Sequence, residues 1–184
     1  AQLGISKLIL SMLMDERVTA IGIYLEGIDN LEDFILASEK ARVKKIPIVI
    51  LNSGSSEIGT QITRSHTASM TGSDDAVKAM FKRLGVASVK SPTELIETLK
   101  FLHFNGVPKS NSIVTLSCSG GEASIMSDLG ENLELNFRSF SKKQRETIKK
   151  TVNPIVSVTN PFDYHTFDWG NHAKLEKTYS KVLD

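Results

Sequence analysis

A histidine set among hydroxyl side chains is the first feature of this sequence that could do chemistry. His66 stands in NSGSSEIGTQITRSHTASMTGSDD, flanked by Ser65 and Thr67, with Ser69, Thr71 and Ser73 close behind. Neutral imidazole is a nucleophile toward phosphoryl groups, and hydroxyls, backbone N–H groups and helix N-termini stabilise the group it then carries. The same composition also fits a surface histidine in a polar loop. Gly54 and Gly59 have P-loop spacing, but Thr60 and Gln61 follow where that motif needs Lys and then Ser or Thr, so a P-loop is excluded. Upstream, YLEG puts Glu26 just past an apolar run, where a carboxylate can orient a catalytic group or simply meet solvent. Downstream, SCSGGEASIMSDLG places Ser119, Gly120 and Gly121 at a turn from strand into helix. Exposed N–H groups and the helix dipole there would make an anion site, although tight turns also use glycine for steric reasons alone. Cys118, leaving an apolar strand, fits an inert residue better than a nucleophile. NPFDYH carries the Asn-Pro turn signature at Asn160, with Asp163 and His165 beyond it. By composition Tyr164, His165, Trp169 and His172 are loop residues with structural or surface roles.

Positioning these groups requires strands that end where the loops begin. ISKLILSMLMD has helical spacing, and VTAIGIYLE is an apolar, β-branched run of strand length, expected to be buried. NLEDFILASEKARVKK has Asn30 as N-cap, acids in its first turn and bases in its last, which suits the helix dipole. IPIVILN is apolar without alternation, the pattern of a strand covered on both faces, so the order predicts a parallel βαβ unit. A long Ser, Thr and Gly stretch runs from Asn52 to Ser73, uncommon in a compact domain unless it is functional. SDDAVKAMFKRLG is a helix capped by Ser73 and closed by Gly85, VASVK a short strand, and SPTELIETLKFLHFNG a capped helix with Pro at its first position. After the polar connection VPKSNS come a strand in SIVTLSC, a helix from SGG, a candidate strand LELNF, an amphipathic helix SKKQRETIKKTV and an irregular segment PIVSVTNPFDY. KLEKTYSKVLD closes the chain as a helical pattern. The expected fold class is α/β, with two doubly wound domains of parallel sheet flanked by helices, residues 1–106 and 111–184, the second incomplete at its C-terminal side.

The chain has 184 residues, 40% of them hydrophobic, which suits one large or two small soluble domains. Its 22 Lys and Arg against 21 Asp and Glu give a net charge of +1, and no run of like charges exceeds two residues. The electrostatic footprint of a nucleic-acid or membrane-surface binder is missing. A single cysteine rules out an internal disulfide framework and points to a reducing cytoplasm, and no Cys and His cluster has zinc-ligand spacing. No apolar run approaches the roughly 20 residues of a membrane span, and no signal-peptide pattern opens the chain. Ala1 at the first position and a helical pattern running to the last residue suggest a piece of a longer protein.

Taken in order, YLEG, SHTASMTGSDDAVKAMFKRLGV, SGGEASIMSDLG and NPFDY resemble the ADP-forming (NDP-forming) acyl-CoA synthetases, relatives of succinyl-CoA synthetase, over essentially the whole chain. The resemblance implies two flavodoxin-like, succinyl-CoA-ligase-type domains and the reversible conversion of acyl-CoA, ADP and phosphate into acid, ATP and CoA. His66 matches the histidine that is phosphorylated and carries the phosphoryl group, and Glu26 the acid that orients it. Ser119, Gly120 and Gly121 match a helix start that holds the phosphoryl group, and Ser65, Thr67, Asn160 and Asp163 match supporting positions. Asn52 stands where the family usually has Lys, and Ala68 where it has Gly, which implies weaker anion attraction beside the loop. The resemblance further implies that ATP or ADP with Mg²⁺, and CoA, bind mainly on CoA-binding and ATP-grasp domains outside these residues. Those domains, a carboxylic acid or its CoA thioester, and an oligomeric assembly are the expected partners; neither nucleic acid nor membrane is expected. Two other functions fit the same residues: a ligase-like module that senses CoA esters without turning them over, and a two-domain α/β interaction module.

Overall fold

The computed structural model describes residues 3–54, Gly59 and 74–184, Asp74 by its backbone only. The chain divides into two compact units, Ala1–Pro108 and Lys109–Asp184.

Unit 1 runs α1 (Ile5–Met12), β1 (Ile21–Leu25), α2 (Leu31–Val43), β2 (Ile48–Asn52), α3 (Asp74–Leu84), β3 (Ala87–Val89) and α4 (Pro92–Asn105). The three strands are parallel, in the order β1-β2-β3, with Ile23 opposite Ile50 and Leu51 opposite Val89. Central β2 is buried on both sides through Leu51, as its unbroken apolar run requires. β1 departs from the expected buried strand. Among the described strands it lies at the sheet edge, and it alternates, with Ile21, Ile23 and Leu25 buried and Tyr24 62% exposed. One face of the sheet packs Ile21, Ile23 and Ile50 against Ile9, Phe34, Ala37 and Phe81 from α1, α2 and α3. On the other, α4 meets β1 and β2, and Gly22 brings the β1 backbone so close to Leu99 that an added Cβ would stand 2.5 Å from the leucine methyl. Helices on both faces of a parallel sheet make this the doubly wound arrangement.

The helix ends follow their sequence signals. Asn30 accepts from the Asp33 N–H at 3.0 Å and Ser91 from the Glu94 N–H at 3.2 Å, each satisfying a first-turn donor. At the other end, α2 and α3 stop in the same way: Ile46 N–H reaches back to the Ala41 carbonyl and Val86 N–H to the Phe81 carbonyl, both at 2.9 Å. Both closures need a left-handed residue, which is Gly85 at φ 69° after α3 but Lys45 at φ 58° after α2.

Unit 2 contains β4 (Leu116–Ser117), α5 (Gly120–Asn132), α6 (Lys142–Lys149), β5 (Phe162–Asp163) and α7 (His172–Leu183). β4 and β5 are parallel, Leu116 opposite Phe162 and Ser117 opposite Asp163. The core gathers Phe140, Ile148, Val152, Val156 and Val182 around Phe162, whose ring meets Phe140 edge-on at 6.2 Å. α6 and α7 pack on each other, and α5 lies against both strands. Ser141 and Gln144 close a reciprocal capping box at the start of α6. The expected strand LELNF does not form. Glu134 turns the chain at φ 54°, and Asn136 then makes a single bridge to Ser112, through the Asn136 N–H on Asn111 and the Ile113 N–H on Asn136. Both units are α/β with parallel strands, the expected fold class.

Candidate functional site

In unit 1 the ends of β1 and β2 are level, Leu25 opposite Asn52. Ser53 then folds back onto β1: its N–H donates to the Leu25 carbonyl at 2.9 Å and its hydroxyl to the same oxygen at 3.3 Å. Gly54 turns the chain away at φ 80°, a conformation glycine takes at little cost. The peptide group that Ser53 grips is the one leading into Glu26, which is exposed. The backbone at the root of the segment that follows β2 is therefore held beside the backbone that leads into Glu26. Asn52, in place of the expected lysine, is half-buried at the end of β2. His66, Ser65, Thr67 and Ala68 lie outside the described residues.

Unit 2 brings its expected residues together. Ser119 is the N-cap of α5, its hydroxyl accepting from the Glu122 N–H at 3.2 Å while its carbonyl accepts from the Ala123 N–H at 3.2 Å. Among the described residues the Gly120 and Gly121 N–H groups have no acceptor, so they are the free donors of the helix start. Parallel pairing of β4 with β5 sets Asp163 beside this turn: a Cβ added at Gly120 would stand 3.5 Å from Asp163 Oδ2. The carboxylate thus lies in van der Waals range of the positive end of the helix dipole, a favourable place for an anion.

Asn160 has a structural task. Its side-chain amide donates to the Ile113 carbonyl at 2.8 Å and the Arg138 carbonyl at 3.0 Å, and its Oδ1 accepts from the Thr115 N–H at 3.4 Å. It ties the turn before β5, which contains the cis Asn160–Pro161 bond, to the entry of β4. Asn160→Ala leaves two carbonyls and a backbone donor to find water, and the expected cost is about 2 kcal/mol, read as a lowered urea midpoint with an unchanged slope.

His165 is the residue that sequence reasoning set aside and the structure brings in. Asp163 Oδ1 accepts from the His165 N–H at 2.8 Å, and His165 Nε2 lies 3.6 Å from Asp163 Oδ2. The backbone there is left-handed, φ 61°, and the ring stacks on Phe167 at 5.6 Å. The Asp-x-His spacing was the one sequence signal for it. Next to it, Tyr164 packs edge-on against Tyr179 at 5.4 Å, and that hydroxyl together with burial pushes the Tyr164 phenol up to about 12. It stays protonated across the physiological range. Chemically the cluster offers two free N–H donors and a carboxylate at one helix start, with an imidazole beside the carboxylate. No group of three His, Cys, Asp or Glu side chains that could hold a metal ion occurs among the described residues. No helix among them is long and apolar enough to cross a membrane.

The succinyl-CoA ligase like flavodoxin domain is the family whose pattern matches residues 1–102. The chain belongs to this family. Similarity continues past the succinyl-CoA ligase like flavodoxin domain into unit 2. The ADP-forming acetate–CoA ligase II of Archaeoglobus fulgidus is 32% identical over 152 residues, covering 83% of this chain and 22% of that protein. The alpha subunit of ADP-forming acetate–CoA ligase II of Pyrococcus furiosus is 30% identical over 144 residues, covering 78% of this chain and 31% of that subunit. A solved structure, the dinucleotide-forming acetyl-coenzyme A synthetase 1 of Ca. Korarchaeum cryptofilum in complex with phosphate and ADP, aligns with a TM-score of 0.79 at 28% identity, over 89% of this chain and 35% of that one. The chain with its succinyl-CoA ligase like flavodoxin domain thus spans about a fifth to a third of the length of these relatives.

Proposed function

We propose that this chain is the phosphoryl-carrying part of an acid–thiol ligase that interconverts acyl-CoA, ADP and phosphate with carboxylic acid, ATP and CoA. The observation that carries the reading is the junction at Leu25, where Ser53 holds the root of the His66 segment on the peptide group that leads into Glu26. A nucleophile and the carboxylate that orients it need such a common anchor, and similarity to ADP-forming acetate–CoA ligases over most of the chain supplies the reaction class.

In this reading Glu26 accepts one ring N–H of His66, which leaves the other nitrogen its lone pair. On the acyl side a phosphate oxygen attacks the thioester carbonyl, the C–S bond breaks and CoA leaves as its thiol, giving an acyl phosphate. The ring nitrogen then attacks its phosphorus, an N–P bond forms, the P–O bond to the acyl group breaks and the carboxylate leaves as free acid. On the nucleotide side a terminal oxygen of ADP attacks phosphorus, the N–P bond breaks and ATP departs. Ser65 and Thr67 supply hydroxyls next to the ring. Ser119, Gly120 and Gly121 at the start of α5 serve in phosphate binding, with Asp163 beside them and Asn160 holding the turn. Nucleotide with its Mg²⁺ and CoA are substrates bound mainly by CoA-binding and ATP-grasp domains, fused to this chain or on a separate subunit, in a cytoplasmic assembly of more than one copy.

The test combines the chain with CoA-binding and ATP-grasp partner domains, labelled ATP and Mg²⁺. Acid-labile, base-stable label accumulates on this chain and is discharged by acid and CoA. Absence of such label from a competent assembly overturns the reading.

A further inference from the structure

We propose that unit 1 carries a second ligand site, for a singly charged amphiphilic anion such as an organic carboxylate with an apolar body. It lies at the end of the sheet away from Glu26: residues 46–48, where β2 begins, form one wall, whereas Glu26 follows the carboxyl end of the parallel β1.

The site is a cavity of about 430 Å³, within the range of small-molecule pockets. Its apolar walls come from Ile46, Ile48, Leu84, Val86 and Val107. Arg42 and Lys45 stand among them, and among the described residues neither cation has an ion-pair partner. Ser38 lines the same cavity. It is 2% exposed, and its hydroxyl has no hydrogen-bond partner among the described residues. A neighbouring cavity of about 640 Å³ shares Arg42, Leu84 and Gly85 and adds Lys82 and Arg83 against a lone acid, Glu39. In a chain whose net charge is only +1, this concentration of cations is local.

The size of the ligand's charge follows from the helix ends. The cavity is lined by Lys45, Gly85 and Gly106, the residues that close α2, α3 and α4, so three helix C-termini face it. Each carries roughly half a negative elementary charge. They offset much of the side-chain charge and disfavour a polyphosphate, while one carboxylate still finds Arg42 and Lys45. Lys45 itself argues for more than dipole complementation. It occupies a left-handed position, φ 58°, whose counterpart after α3 is glycine. Glycine would be the more stable choice there, and the lysine adds a cationic side chain to the residues that line the cavity.

Titration of the chain with octanoate, followed by calorimetry and amide NMR shifts, tests the proposal. Saturable binding is expected near or below ~1 mM, with shifts at α2 and at residues 84–86. Octanol binds about tenfold more weakly, and inorganic phosphate shows no saturation at the same amides. Arg42→Gln weakens octanoate binding about tenfold, and Lys45→Gly does the same while melting a few degrees higher, a pairing that a purely structural lysine does not produce. No octanoate binding at ~10 mM, or binding unchanged in both variants, overturns the site, and tighter binding of phosphate than of octanoate overturns the ligand class. None of these readouts depends on His66 or on ligase activity.

Discussion

His66→Ala is expected to abolish the acid-labile, base-stable phosphoryl label that the proposed function places on this chain, and Glu26→Gln to lower the rate of labelling roughly a hundredfold without abolishing it. The two outcomes separate the nucleophile from its support. Without imidazole no nitrogen is present to form the N–P bond, so the loss is complete. The glutamine amide oxygen in the Glu26→Gln variant can still accept a hydrogen bond from the ring, but it lacks the charge that stabilises the cationic ring formed as the phosphoryl group arrives. Quench-flow labelling with ATP, followed by acid and base stability of the product, reads both. Label persisting in His66→Ala sinks the assignment of the carrier, while an unchanged labelling rate in Glu26→Gln leaves the carrier standing and removes only the role of Glu26. The anchoring of both elements at the Leu25 carbonyl makes Ser53→Gly the milder control, since its backbone N–H remains in place.

Phe162→Ala is expected to unfold unit 2 locally. Phe162 is fully buried, pairs edge-on with Phe140 and sits where Val156, Ile148 and Val182 converge. Removing such a ring costs about 4 kcal/mol, a large part of the roughly 5–15 kcal/mol that keeps a typical domain folded. Amide exchange in α6 and α7 then accelerates roughly a thousandfold. The same change reaches the site, because Phe162 and Asp163 are the two residues of β5, and losing the pairing with Leu116 and Ser117 releases Asp163 from the start of α5. Phe162→Leu, which keeps much of the apolar volume, serves as the comparison, with an expected effect of about 1.5 kcal/mol.

The parts of the fold legible in the sequence were those governed by neighbours along the chain. Asn30 and Ser91 cap their helices as local chemistry demands, Gly85 ends α3, and the unbroken apolar run of IPIVILN becomes the covered central strand. What failed depended on distant partners. VTAIGIYLE is apolar throughout, and nothing within it says that it lies at an edge among the described strands with Tyr24 in water. LELNF has strand composition, yet it finds one bridge instead of a ladder, because Glu134, its second residue, turns the chain. Asn160 was recognisable as part of an Asn-Pro turn, but its hydrogen-bond partners lie 22, 45 and 47 residues away. His165 meets Asp163 only because β5 registers with β4 and the chain then turns left-handed.

Asp163 at the mouth of α5 bears on traffic through the cell's phosphate pool. A carboxylate already resident in the helix field penalises any free dianion that diffuses in, so dissolved phosphate and sulfate compete poorly for Gly120 and Gly121. On the proposed function the phosphoryl group is carried covalently, and its effective concentration of about a millimolar offsets that penalty. Under that proposal, selectivity at Gly120 and Gly121 rests on how an anion is delivered, since free N–H donors accept any anion.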